Sequence, residues 1–345
     1  MYYTRQELQK RMVALYIANC FAIAFGGVSL SPSLMLVANN SPKLIAFGMT
    51  NLQGVAGLSS WRWIYIIEGI ITIVLSAMLI FIVADWPTQA KWLSTAELQL
   101  LSARQIAEDG GLARMDHLNK RSLRRILTDW KIYGAVIIYF CVSSASNATA
   151  FVPTIIAKLG YTNAVAQAYT IPIYVVAAAL AYIAAFLSDR IKNRFVFCII
   201  GVILCICGYG VMLHQDVVPI RAQYGAIYLF NAGSFMLLPT LWTWLSNNMG
   251  GHYKRSWSSA AQIGLGNAGA LVPTLLFLPT EAPAYTRAFT TLLALMVVAG
   301  FTMIATELLL IRENKARDQG KRDWRLQEKD IENMGDDHPS FRFTL

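Results

Sequence analysis

The sequence predicts an all-α membrane protein with about eight transmembrane helices, and three observations carry that expectation. Apolar runs recur at 64–84, 132–151 and 288–310. Each is long enough to cross a bilayer, since about 20 residues at a 1.5 Å rise cover the ~30 Å hydrocarbon core. Composition agrees: 56% of the 345 residues are hydrophobic and only 14% are charged, whereas a soluble domain carries about a quarter charged residues. Finally, 24 of the 29 Lys and Arg fall in residues 1–11, 85–131, 189–194, 248–255 and 312 onward.

The positive-inside rule then places both termini and the 85–131 loop in the cytoplasm, which requires an even number of spans. The net charge of +9 belongs to loops that orient helices and meet anionic head groups of the lipid bilayer. No basic amphipathic face with interleaved aromatics exists, so nucleic acid is not an expected partner. Cys20, Cys141, Cys198, Cys205 and Cys207 all lie in apolar runs, where a buried thiol acts as a small hydrophobe. They form neither a disulfide framework nor a metal-ligand spacing, and no cofactor is expected.

Taken in order, the first span covers 12–48 with an interruption. Its basic start and apolar run lack a small-x-small cleavage site, so it reads as a signal anchor rather than a cleaved signal peptide. Residues 28–43 break the run, and removing them joins Gly27 to Leu44 in one ordinary span. The insert opens on Val, whose codons begin GT, and closes on Lys, whose codon can end AG. Ala38-Asn39 can encode CTAAC between them. It therefore reads as a retained intron, and a spliced message that still carries these codons would refute that.

A second span covers 63–84, closing a first unit at 1–85. Residues 86–130 form a polar linker with the Gly110-Gly111 pair and a helical stretch at 94–107, lying on the membrane surface between two bundles. Ser94 as N-cap and Glu97 three residues later form a capping box. Further spans are expected at 131–152, 167–188, 195–213, 222–246, 257–279 and 286–311, making a unit at 131–311. The charged tail 312–345 is expected to be disordered beyond its first turn or two.

Polar side chains inside the spans are the candidate site. Tyr139, Ser143 and Asn147 stand at i, i+4 and i+8, on one helix face. Asn231, Trp244 and Asn248 mark a second polar helix. Such side chains either line a water-filled path or hydrogen-bond between helices. Asn267, amid Gly264, Gly266 and Gly269, is either a ligand or part of a close packing surface. Glu68, the acidic residue of its span, is either a proton site or the structural partner of Arg62. Asp189, Arg190 and Arg194 share a tight turn, as a conformational latch or as simple topology determinants. The four histidines, His117, His214, His252 and His338, are scattered through loops. No catalytic triad, metal site or phosphate loop assembles, so an enzyme is not expected. The nominal G-x-G-x-x-G at 264–269 lies inside a span with no preceding strand, which excludes dinucleotide binding.

A resemblance covers nearly the whole chain. It is carried by Trp61-Arg62-Trp63-Ile64-Tyr65-Ile66-Ile67-Glu68-Gly69, Asp85-Trp86-Pro87 with Ala90-Lys91-Trp92-Leu93, and Pro153-Thr154-Ile155-Ile156 with Leu159-Gly160-Tyr161. Ser188-Asp189-Arg190-Ile191-Lys192-Asn193-Arg194, the set Trp244, Asn248, Gly251, Lys254 and Arg255, and Asp337-His338-Pro339-Ser340-Phe341-Arg342-Phe343 continue it. Together these resemble the fungal allantoate permease family, the anion:cation symporter branch of the major facilitator superfamily.

The resemblance implies a plasma-membrane carrier of small organic anions such as allantoate, nicotinate, pantothenate or biotin, coupled to protons and working by alternating access. It also implies twelve spans in two halves. This chain would then hold two helices of the N-terminal half and the complete six-helix C-terminal half, a partial fold truncated at its N-terminus. The helices holding Tyr139 and Asn231 would be the cavity-lining seventh and tenth, and the Asp189 turn would act as the cytoplasmic latch. The contrasting expectation is a non-transporting membrane fragment that needs the missing helices or another subunit. A membrane enzyme or receptor ranks below both.

Overall fold

Every regular element among the described residues is helical. The computed structural model describes residues 14, 18, 57–58, 60–82, 93–108, 115, 117–158, 163–191, 193–282, 284–328 and 330–344. Helices α1 (Ser60–Ile82), α2 (Thr95–Glu108) and α3 (Lys120–Leu127) precede the main bundle. In the bundle, α4 (Trp130–Ala148) runs through a 3-10 turn into α5 (Val152–Lys158). Then follow α6 (Asn163–Ile191), α7 (Phe195–Leu213), α8 (Ile220–Asn247) and α9 (His252–Gly266). A 3-10 turn at Asn267–Ala270 leads to α10 (Leu271–Leu276), and α11 (Thr286–Asp318) closes the bundle.

Helices stand at six of the expected spans. The span at 12–48 and its insert 28–43 lie outside the described residues. By length and apolarity, the helical stretches Trp130–Ala157, Tyr169–Ile191, Phe195–Leu213 and Thr286–Asp318 can each cross a membrane. The span expected at 257–279 is not one continuous α-helix, because it tightens to 3-10 after Gly266. In the linker the anticipated capping box is present. Ser94 N donates to Glu97 Oε2 at 2.9 Å, and Glu97 N donates to Ser94 Oγ at 3.3 Å. A second reciprocal cap, Asn119 with Ser122, starts the unanticipated α3.

Two expectations are corrected here. Among the described residues the tail beyond Arg312 is not disordered: α11 continues to Asp318, and three 3-10 turns at Asp323–Gln327, Ile331–Asn333 and Gly335–Asp337 follow it at the bundle end. Nor are the thiols uniformly buried. Cys141, Cys198 and Cys205 are, but Cys207 faces outward from α7, because only every third or fourth position of a bundle helix meets a neighbour.

α8 occupies the middle of the bundle between α6 and α7, and all of 230–241 is buried. α11 packs on α4 and α7, while α9 and the following turn pack on α4. Small residues set the spacing. A Cβ built on Gly233 would stand 2.5 Å from Gly201 O and 2.7 Å from Cys205 Sγ, and one on Gly208 would stand 2.8 Å from Ala226 O. Without Cβ atoms at these points, α7 and α8 bring their backbones together as small-residue membrane interfaces do. At one bundle end Phe277 stacks on Phe151 at 4.7 Å and meets Phe289 edge-on at 5.7 Å. These rings plug the space left where α10 stops.

Gly233→Ala should lower the melting temperature of the purified protein in detergent, at a cost of about 1–3 kcal/mol for overpacking. Gly225 lies in the same helix with nothing within 4 Å of its would-be Cβ, and Gly225→Ala should leave melting unchanged or raised. Equal effects of the two would show that α7–α8 contact does not set the spacing.

Candidate functional site

The face of α4 carrying Tyr139, Ser143 and Asn147 meets the start of the 3-10 turn after α9. Ser143 Oγ lies 3.4 Å from Asn267 Oδ1, and Asn147 Nδ2 donates to Ser143 O at 2.9 Å and to Ser143 Oγ at 3.3 Å. Ser143 is buried, whereas Asn147 and Asn267 are exposed. Tyr139 is buried beneath them, its ring against Gly266. Gly269 sits on the Phe140 carbonyl and the Ser144 hydroxyl. So Gly266 and Gly269 do serve close packing, while Gly264 faces open space.

The other polar candidates lie elsewhere. Asn231 is fully buried in α8; its Nδ2 donates to Ile227 O at 2.8 Å, and its Oδ1 has no hydrogen-bond partner among the described residues. Trp244 and Asn248 border a cavity of about 20 Å³, with Lys131, Gln262 and Thr306 beside them. That is room for about one water, far below the ~300 Å³ of a small-molecule pocket. Asn248 is moreover saturated: its Nδ2 donates to Trp244 O and Thr344 O at 3.0 Å, and its Oδ1 accepts from Thr344 N at 2.8 Å. The Asn248 amide is thus taken by the tail at the edge of the small cavity it borders.

In the 188–194 turn, Arg194 is buried and donates from Nη1 to Thr243 O at 2.9 Å, near the end of α8. With the Asn247 amide oriented to present its oxygen, that oxygen accepts from Arg194 Nη2 at 2.9 Å. Burial pulls the Arg194 guanidinium down to about 10, against the opposing charge of Asp189. Arg190 points outward. The turn therefore fastens α7 to α8 through Arg194, with Asp189 as its counter-charge. Glu68 lies on α1, its side chain outside the described residues. Glu307, which the sequence reading passed over, is buried in α11, and its Oε2 has no hydrogen-bond partner among the described residues. Its signal was available: it is the one charged residue between 288 and 311.

At the tail end of the bundle four buried charges alternate in sign. Lys131 Nζ lies 2.9 Å from Asp129 Oδ2 and 2.6 Å from Asp336 Oδ2, and Lys254 Nζ lies 2.6 Å from Asp129 Oδ2 and 2.8 Å from Asp336 Oδ1. Asp129 also caps α4 by accepting from Lys131 N at 3.0 Å. Gly250 and Gly335 let the tail in, for a Cβ on Gly335 (φ +62) would stand 2.6 Å from Gly250 O.

Three asparagine amides clasp backbone bidentately around this cluster: Asn333 with His117, Asn314 with Phe343 and Asn248 with Thr344. Arg317 donates to Phe341 O at 2.8 Å and lies 4.4 Å from the Phe343 ring centroid. Burial alone would raise the Asp336 carboxyl, yet Lys131 and Lys254 hold it well below the usual carboxylate range. Burial likewise opposes the Lys254 ammonium, yet Asp336 and Asp129 raise it above its ordinary value.

The sequence profile of the Major Facilitator Superfamily matches residues 2–273. The chain belongs to the Major Facilitator Superfamily. It is 31% identical over 280 residues to an uncharacterised transporter of Schizosaccharomyces pombe, an alignment covering 79% of this chain and 51% of that protein. It is 28% identical to an MFS-type transporter of Penicillium expansum, covering 100% of this chain and 66% of the other. It is also 26% identical to the high-affinity nicotinic acid transporter of Saccharomyces cerevisiae, over 90% of this chain and 55% of that protein. The chain thus spans between half and two thirds of the length of these relatives.

The relatives it matches are named as transporters, and the chain is an integral membrane member of their superfamily. Of the predicted polar residues, the structure brings together Ser143, Asn147 and Asn267, with Tyr139 beneath. It separates them from Asn231, Trp244 and Asn248. In the sequence Lys131 and Lys254 are topology signals, and Lys254 also belongs to the resemblance; their partners Asp129 and Asp336 give no local pattern, being 207 residues apart in the chain.

Asp336→Asn should destabilise the protein by about 3–5 kcal/mol, because it leaves two buried ammonium groups on one carboxylate. The depressed Asp336 value contributes stability above the unfolded value near 4 and loses it as pH falls further. The raised Lys254 value contributes below about 10 and loses it as pH climbs past the folded value. Melting temperature against pH should therefore show this contribution as a plateau between about pH 5 and 9, lowered throughout by Asp336→Asn. A variant that melts with the parent across that range would mean the cluster is not closed.

Proposed function

We propose that the chain forms part of a carrier of small organic anions, allantoate, nicotinate or other vitamin-like carboxylates, moved by proton-coupled symport with alternating access. One observation carries this reading. Asn267 Nδ2 offers two N–H donors that meet no acceptor among the described residues, beside Asn147 and Ser143 on an exposed face of a membrane helix. Donors of this kind suit a carboxylate, and polar groups left on such a face would cost a few kcal/mol against lipid. The superfamily assignment and a relative named for nicotinic acid transport support the same reading, as does the resemblance to the allantoate permease branch. In it Asp189 and Arg194 act as the latch, and Glu68 and the newly recognised Glu307 are the proton-site candidates. The tail end of the bundle faces the cytoplasm of a plasma-membrane protein.

A second reading has its own observation. The chain spans half to two thirds of its relatives, and alternating access rocks one half against another around a shared site. On this reading the 345 residues alone form a non-transporting membrane fragment. Further helices, from a longer chain or another subunit, would complete the wall facing Asn147 and Asn267.

Labelled nicotinate and allantoate uptake into proteoliposomes under an imposed proton gradient separates the two. The chain alone should give none. A version extended to the length of its relatives should transport, and Asn267→Ala should raise its KM about tenfold without changing abundance. Uptake by the isolated chain would remove the fragment reading; an unchanged KM in Asn267→Ala would remove Asn267 from the site. In the extended version Asp189→Asn should slow turnover far more than it lowers abundance, and equal uptake per molecule would discard the latch.

Orientation has a separate check. Epitope tags at Gly110 and after Leu345 should both be reached only from the cytoplasmic side.

A further inference from the structure

Where α11 leaves the bundle its outer face changes character along a single stripe. Leu308, Arg312, Lys315 and Gln319 follow at i, i+4, i+7 and i+11, so apolar surface gives way to cations within about 10 Å of axial rise. Leu308 and Leu309 are 61% and 44% exposed. Gly320, at φ +68, turns the chain back. Arg322 is then pinned to Glu313 by a bidentate pair, Nη2 to Oε2 at 2.6 Å and Nε to Oε1 at 3.0 Å, which brings Lys321 alongside. Trp130, 41% exposed at the start of α4, forms the opposite rim. These residues line a groove of about 730 Å³.

Its charge is unbalanced. Glu313, the one carboxylate of the lining, is engaged by Arg317 and Arg322. Arg312, Lys315 and Lys321 meet no carboxylate among the described residues.

We propose that this groove binds an anionic phospholipid, its phosphate and acidic head group on Arg312, Lys315 and Lys321, its ester region beside Trp130, and its acyl chains along Leu308, Leu309 and Ile311. A free phosphate or a soluble organic anion would use the cations and leave the apolar floor in contact with water. A neutral phospholipid would use the floor and leave the cations without net partners. Only an anionic lipid matches both, and an indole at the boundary is the usual membrane-interface residue. The assignment rests on the cytoplasmic placement of the tail only for which leaflet supplies the lipid.

The test is lipid retention by the purified full chain in detergent, read by native mass spectrometry with phosphatidylserine, phosphatidylcholine or inorganic phosphate added. The wild-type chain should hold phosphatidylserine in clear preference to phosphatidylcholine. The triple variant Arg312→Gln, Lys315→Gln, Lys321→Gln should lose that preference by on the order of a hundredfold, about fivefold per charge, and Arg312→Lys should keep it. If the triple variant does not fold, the exposed single change Lys315→Gln should still show the fivefold loss. Undiminished phosphatidylserine retention in these variants would overturn the proposal. So would displacement of the lipid by inorganic phosphate, which would make the site one for a soluble anion. Retention is read in detergent without sidedness or transport, so its failure is distinct from failure of the functional reading above.

Discussion

The alternating square of Asp129, Lys131, Lys254 and Asp336 is the constraint on which this bundle end depends. Four charges removed from water carry a large desolvation penalty, recovered only if each meets two opposite charges in good geometry. Here each ammonium touches both carboxylates and each carboxylate touches both ammoniums, at 2.6–2.9 Å. The four residues come from the cap of α4, its first turn, the start of α9 and the tail. The square forms only when those pieces hold one relative position. Its value lies less in raw stability than in excluding other arrangements, because any shift of α9 or the tail would strand an unpaired buried charge. The asparagine clasps and the Gly250–Gly335 backbone contact follow from that registry, since they work only with the tail already seated.

Polarity inside the bundle obeys a different economy. Ser144, Asn147, Asn231, Ser234, Thr240 and Thr243 each donate to the carbonyl four residues earlier in their own helix. A hydroxyl bonded this way has its donor satisfied without water, ligand or neighbour, while an amide keeps an acceptor over, as Asn231 Oδ1 does. That is how the middle of α8 can be rich in polar side chains and still be buried throughout 230–241.

This explains what could and could not be read from the chain. The positions of α1, α4, α6, α7, α8 and α11 follow from length and apolarity, and the Ser94–Glu97 cap follows from local spacing, because both signals are contained within one element. The density of Ser, Thr and Asn in α8 suggested a wet wall, but composition does not distinguish a side chain bonded to its own helix from one facing a path. Asn248 belongs to the tail for a reason lying 96 residues away, at Thr344. The tail's charge and low hydrophobicity resembled a disordered segment. Its order comes from partners on three helices and the linker, and no window along the sequence contains them. What was legible in the site is the α4 stripe, since three of its members share one face by periodicity alone.

The tail closure also has a temporal side. Residues 333–344 are synthesised after every helix they bind, so until Asp336 arrives, Lys131 and Lys254 face Asp129 alone with an excess positive charge at the mouth of the bundle. The half-built bundle is thus electrostatically open while it emerges from the ribosome and neutral once the tail docks. The last carboxylate of the square is thus also the last of its four charges to be made, and it is the one that brings two lysines on separate helices to neutrality.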